Sequence, residues 1–151
     1  MLYSSYSQFL GKPYAEITND CFTLLMDFYK EKFGIEIPEY ARPLEFFDPR
    51  LNIIPKIAAD LNLSKRAVSR IELQDGDILV FKCASNFDNH IGIYVGNNTF
   101  IHQMIDSRGC EAPLDNRWFR RMTAVYYSPE VQTMLPKNDN WFTLLMGNNN
   151  V

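Results

Sequence analysis

The fold is decided by residues 73–102. They run Leu73-Gln-Asp-Gly-Asp-Ile-Leu-Val-Phe81, then Lys82-Cys-Ala-Ser-Asn-Phe-Asp-Asn89, then His90-Ile-Gly-Ile-Tyr-Val-Gly96 and Asn97-Asn-Thr-Phe-Ile-His102. Gln74-Asp-Gly76-Asp reads as a turn. Short apolar runs follow at 78–83, 91–95 and 99–105, each bounded by turn residues, as strands are. Gly96-Asn-Asn98 between the last two is a hairpin signal. Counted as a three-residue loop, it pairs Val95 with Thr99 and sets Gly92 opposite His102. His90 and His102 then share one face as diagonal neighbours, about 7–8 Å apart at the backbone and within reach of two imidazoles. A two-residue loop would put them on opposite faces, because the strand period is two. Gly92 is expected to leave room beside the His102 ring.

Upstream of this hairpin the pattern is helical. Gly11-Lys-Pro13-Tyr14 marks a turn, and Asn19-Asp20 is an N-cap pair. Cys21, Leu24, Leu25 and Phe28 then repeat at helical spacing, with Gly34 placed as a C-cap and Pro38 beyond it. A helix over 20–33 is expected. Residues 35–50 carry Pro38, Pro43 and Pro49 and read as irregular. Residues 54–70 read as one bent helix or two short ones, broken near Asn62-Leu63-Ser64. Trp118 to Tyr127 reads as a further strand. Helices first and an antiparallel meander after them make an α+β domain, with the N-terminal helices packed on the sheet. Residues 128–151 read as an arm rather than core. They include Phe142-Thr-Leu-Leu-Met146, an identical copy of Phe22-Thr-Leu-Leu-Met26; two copies do not make a repeat architecture.

The chain has 151 residues, enough for one domain. Hydrophobic residues are 46% and charged residues 22%, which excludes a disordered chain. The formal net charge is -3, against a nucleic-acid-coating protein. No segment approaches the length of a membrane span, and the first residues lack the charged and apolar parts of a secretory leader. Three cysteines are too few for a disulfide scaffold, so free thiols are expected.

Any chemistry must be built from those three thiols and two histidines. Cys21 falls in the first turn of the first helix, where free N–H groups and the helix dipole stabilise a thiolate. A lone cysteine is more often a small buried hydrophobe. Both histidines on one hairpin face shift the balance towards chemistry: His90 suits a base and His102 the partner that orients it. Cys83 reads as core and Cys110, in Ser107-Arg-Gly-Cys110, as a loop thiol.

These blocks resemble the NlpC/P60 cysteine peptidases, papain-like α+β hydrolases of bacterial cell-wall peptides that also occur in phage tails. Gly11-Lys-Pro-Tyr14, Asn19-Asp-Cys21, residues 73–81 and the two-histidine hairpin carry the resemblance, which runs from about Gly11 to Tyr127. It implies Cys21 as nucleophile, His90 as general base and His102 as the third, orienting residue. It implies that Tyr14, with the Cys21 N–H, meets the tetrahedral oxygen or the substrate. Asp20 is expected to cap the helix or bind a substrate amine, capping being the favoured role. The family commonly reads Asp-Cys-Ser-Gly where this chain has Asp20-Cys21-Phe22-Thr23. The residue after the cysteine helps hold the peptide in relatives, so Phe22 departs at a substrate position. The expected domain is 1–127, with 128–151 an interaction arm. The expected partners are a peptidoglycan stem peptide and, through the arm, other phage tail-tip proteins. No nucleic acid, membrane insertion, metal or cofactor is expected. A missing leader points to synthesis in the host cytoplasm and delivery in the virion.

Three readings compete. Residues 57–71 look like a helix-turn-helix, with Lys65, Arg66 and Arg70 on the second helix. A Cys-His-His zinc site lacks any supporting ligand spacing. The same fold could also serve as a catalytically silent structural adaptor in a tail tip.

Overall fold

The structure, a computed structural model, describes residues 6–15, 18–39 and 53–135. Helix α1 spans Cys21–Phe33. Asp20 caps it: Oδ1 accepts the Thr23 N–H at 2.8 Å and the Thr23 hydroxyl at 2.9 Å. Gly34 ends it at φ 66°, a conformation that costs glycine no Cβ clash, and returns its N–H to Lys30 O. Leu24, Leu25, Phe28, Tyr29 and Phe33 are buried along the inner face, and Phe9, from a short 3-10 turn at Ser7–Phe9, stacks on Phe28 at 5.3 Å.

Six strands form one antiparallel sheet: β1 Ser64–Arg66, β2 Ile78–Phe81, β3 His90–Gly96, β4 Thr99–His102, β5 Cys110–Pro113 and β6 Met122–Tyr127. Their spatial order is β1-β6-β2-β3-β4-β5. The α+β expectation holds. Period-two alternation splits the core in two. Ile78, Val80, Ile91, Ile93, Val95 and Ile101 join the cluster that contains the α1 side chains. Leu79, Phe81, Tyr94 and Phe100 join Leu73, Leu114, Met122 and Val125 in a second cluster. Both faces of β2 and β3 are therefore covered, which explains why these strands read as near-continuous apolar runs.

The helical reading of 54–70 is half right. Helix α2 spans Ile53–Asp60, but Asn62 then turns to φ 54° and the Leu63 N–H returns to Ala58 O. The chain leaves extended, and Ser64–Arg66 pairs with Tyr127, Tyr126 and Val125 of β6. A strand and a single 3-10 turn at Arg70–Glu72 stand where the second helix was expected, so the helix-turn-helix reading of 57–71 is overturned. Two of its three cations are spent inside the molecule. Arg66 Nε bonds Asp77 Oδ2 at 2.9 Å, and Arg70 reaches Asn98, the Leu114 carbonyl and Asn116 while lying over the Phe119 ring. Tertiary partners override the local helical preference.

Trp118 to Tyr127 is also two elements. Helix α3, Asn116–Arg121, comes first, capped by Asp115 Oδ1 accepting the Trp118 N–H at 3.0 Å, and β6 follows. Residues beyond 127 do not begin as a free arm. Helix α4, Pro129–Met134, is capped by Ser128, buries Val131 in the α1-side core and packs Leu135 against it. Residues 128–135 thus pack on the α1-side core through Val131 and Leu135. The Trp141–Met146 patch and the second Phe-Thr-Leu-Leu-Met copy lie outside the described residues. Among the described residues no helix is long and apolar enough to cross a membrane.

Candidate active site

The hairpin sets the two histidines face to face by an unexpected route. The turn between Gly96 and Thr99 has two residues, Asn97 and Asn98, at φ 52° and 57°. On its own that loop would separate the histidines. A β-bulge at Val95 absorbs one residue between Tyr94 and Gly96, and the frame returns to Gly92 opposite His102. The expected register is correct; the expected loop length is not.

His90 Nε2 lies 3.0 Å from His102 Nδ1. The pair is sealed, at 4% and 3% exposure. Trp118 of α3 stands edge-on to His102 at 4.9 Å and tilted to His90 at 6.3 Å, Phe81 lies 5.9 Å from His90, and Phe100 lies 4.7 Å from His102. Burial, then the neighbouring His102, lowers His90 to about 3; burial lowers His102 to about 4. Both rings are neutral at pH 7, so one nitrogen of each carries a proton and the other a lone pair.

That depression makes a stability prediction. The unfolded chain protonates both histidines below about 6.5, whereas the native state keeps them neutral. Their stabilisation is present above 6.5 and is lost as pH falls towards 3–4. Asp77 acts the other way: burial raises it from 3.8 to about 6, so between those values the native state holds a proton that the unfolded chain has lost. Two protons gained against one given up leave about one taken up on unfolding near pH 5. Stability is expected to fall by about 1 kcal/mol per pH unit from 6 to 4. Urea melts across that range check it; a flat or rising profile contradicts the buried neutral pair.

Gly92 makes room for a ring, but not the expected one. A Cβ there would meet Phe100 Cδ2 at 2.8 Å and the Ile101 carbonyl at 3.2 Å. Gly92→Ala must push Phe100 off the His102 face, and is expected to cost about 1–3 kcal/mol. Unchanged denaturant stability would contradict this packing.

Cys21 is the first residue of α1, half-buried and packed against the α1-side cluster. The segment leading to it is pinned near the histidine end of the sheet. His90 opens β3 and His102 ends its antiparallel neighbour β4, so both lie at one end. The loop leaving that end, 103–109, clamps the segment before Cys21. Tyr14 N–H donates to Ser107 O, Gly11 N–H to Gly109 O, Gly109 N–H to Lys12 O, and Arg108 Nη1 to Gly11 O. Buried Gln103 holds the loop from inside, donating to the Met104 and Ser107 carbonyls. Ala15 and Asn19 exchange backbone bonds, which folds the chain back just before Cys21. Tyr14 is half-buried on this clamp.

One expected role changes, that of Phe22, while Asp20 takes the favoured role of helix cap. Phe22 is 0% exposed, inside the core with Leu25, Ile57 and Ile91, so it supports the helix and does not meet substrate. Asp20 is buried with one carboxylate oxygen given to the cap. Cys83 stays in a supporting place: half-buried just past β2, its backbone N–H and C=O tied to the Asn89 amide, its thiol pushed up by burial. Cys110 is not a loop thiol. It opens β5 directly opposite His102, and its Sγ lies 3.5 Å from His102 Nε2. Sequence reasoning missed it because Cys-Glu-Ala-Pro has no strand period; Arg108-Gly109 just before it was the turn signal available.

A buried imidazole pair thus lies at one end of the antiparallel sheet, and the strap that leads to the helix-start thiol is clamped by the loop leaving that end. The NlpC/P60 family model matches residues 8–127, and the chain belongs to that family. It is 26% identical over 125 residues to the "Probable endopeptidase NlpC homolog" of Haemophilus influenzae, covering 80% of this chain and 57% of that protein. It is 28% identical over 88 residues to the murein DD-endopeptidase MepS/murein LD-carboxypeptidase of Escherichia coli K12, covering 58% and 37%. It is 25% identical over 119 residues to the tail tip assembly protein K of Escherichia phage lambda, covering 77% and 57%. The chain therefore spans little more than half the length, or less, of these curated relatives.

Proposed function

We propose that this protein is a cysteine peptidase that hydrolyses peptide amide bonds of bacterial peptidoglycan, and that it works as part of a phage tail. The observation that carries the reaction type is the His90 Nε2–His102 Nδ1 contact at 3.0 Å. It commits one nitrogen of His90 to an orienting partner, so exchange with a nucleophile goes through Nδ1. The likeness to a murein endopeptidase supports the substrate class, and the likeness to a tail tip assembly protein supports the tail.

Neutral His90 takes the Cys21 thiol proton at Nδ1, and the thiolate attacks the scissile carbonyl. The Cys21 N–H, at the start of α1, and the Tyr14 hydroxyl stabilise the oxyanion. His90 returns the proton to the leaving amine, and water, deprotonated by the same ring, releases the acyl group. His102 holds the tautomer throughout. Burial of both rings favours general-base activation over a resting imidazolium–thiolate pair.

Selective alkylation tests the assignment. Cys21 is expected to react near neutral pH well before Cys83 and Cys110, whose thiols burial pushes up, and to lose that lead in His90→Ala. Equal reactivity of all three would overturn it.

A structural adaptor is favoured by one observation: Trp118 and the two phenylalanines leave the histidines almost no exposure. Tails carrying Cys21→Ala separate the readings. Normal assembly with failed wall penetration supports the enzyme; normal assembly and normal infection support the adaptor.

A further inference from the structure

We propose that Cys110 is a positioning residue: its sulfur accepts a hydrogen bond from the His102 Nε2–H and so selects the tautomer that leaves His90 Nδ1 basic. The inference rests on the Cys21–His90 reading and extends it outward by one residue.

Each neutral imidazole has one N–H. His90 works as a base through Nδ1 only if its own proton sits on Nε2, where it is donated to His102 Nδ1 over 3.0 Å. His102 must then accept at Nδ1 and carry its proton on Nε2. The atom facing Nε2 is Cys110 Sγ, at 3.5 Å. If the thiol instead donated its S–H to Nε2, His102 would be protonated on Nδ1 and would donate to His90. His90 would then carry its proton on Nδ1, and that nitrogen could not receive one from Cys21. The donor or acceptor role of one sulfur therefore sets the state of a ring two residues away in the relay.

The placement of Cys110 is built into the fold. β4 and β5 pair His102 with Cys110, and the flanking pair Ile101–Glu111 fixes the register. The intervening loop is closed by Gln103, which donates to the Ser107 carbonyl and whose Oε1 lies close to Gly109. The thiol is raised by burial and so enters as a neutral S–H group, free to rotate its hydrogen away and accept.

Imidazole nitrogen NMR on the full-length protein reads the tautomers directly, without any assay of activity. The expected result is His102 and His90 both protonated on Nε2 in the wild type and in Cys110→Ser, whose hydroxyl accepts equally. Cys110→Val is expected to move His102 towards protonation on Nδ1 and to lower kcat/KM about ten- to a hundredfold, the range typical of an orienting partner. His102 protonated on Nδ1 in the wild type overturns the proposal, as does a valine variant with unchanged tautomers. If valine disrupts folding, the wild-type and serine spectra still decide. Failure of Cys21→Ala to abolish hydrolysis would instead sink the underlying catalytic assignment, and leaves the tautomer result standing by itself.

Discussion

His90→Ala is expected to lower kcat/KM on peptidoglycan peptides by roughly a thousandfold or more, with the fold intact. The ring is the only group in the proposed relay that both takes the thiol proton and returns it to the leaving amine. Its loss removes two proton transfers rather than one contact. His102→Ala is expected to cost less, because His102 touches His90 and not the reacting atoms. Stability should move the opposite way at low pH. Without His90, one of the two groups that the unfolded chain protonates below 6.5 is gone, and the decline between pH 6 and 4 becomes shallower. A variant that kept full activity, or lost it only by unfolding at pH 7, would contradict the assignment.

Arg66→Ala is the largest expected loss of stability, about 3 kcal/mol at pH 7.5. Asp77 is 1% exposed and meets both Nε and Nη2 of Arg66, at 2.9 and 3.3 Å. Its other partner is the Gln74 N–H at 2.9 Å. Arg66 also lies over the Tyr127 ring at 4.2 Å, so the substitution removes packing with the charge. Asp77 is raised to about 6 by burial even with the guanidinium present. Without it the carboxyl rises further and takes up a proton, which relieves the unpaired charge. The loss is therefore greatest above the variant's raised carboxyl pKa, shrinks as pH falls from there towards 6, and is least below 6. Urea melts at pH 7.5 and 5 check this. An equal loss at both would mean that Arg66 acts through packing alone.

The sequence made the centre of the molecule legible and its edges much less so. The 78–102 meander carries its own turn residues, so its strands and the shared histidine face were readable. The bulge at Val95 was not, because Gly96-Asn-Asn98 suits a two-residue or a three-residue loop equally; in the folded turn Asp75 lies beside Gly96 and the Asn98 N–H donates to the Tyr94 hydroxyl. β1 was unreadable for a different reason. Three residues have no period, and what makes Ser64–Arg66 a strand is Asp77, eleven residues on, and the tyrosines of β6. Asp115-Asn116 ahead of Trp118 was a cap signal for α3. In the site, Cys21, His90 and His102 were singled out by type and spacing. Cys110 and Trp118 were not, since each matters only through a neighbour that the sheet or helix α3 brings to it.

The central claim is that Cys21, activated by the His90–His102 pair, cuts cell-wall peptide. Its most direct test is digestion of purified peptidoglycan by the full-length protein and by Cys21→Ala, with released peptides identified by mass. The account predicts stem-peptide cleavage by the wild type and none by Cys21→Ala of equal thermal stability. Cleavage by both at the same rate, or by neither, would contradict it.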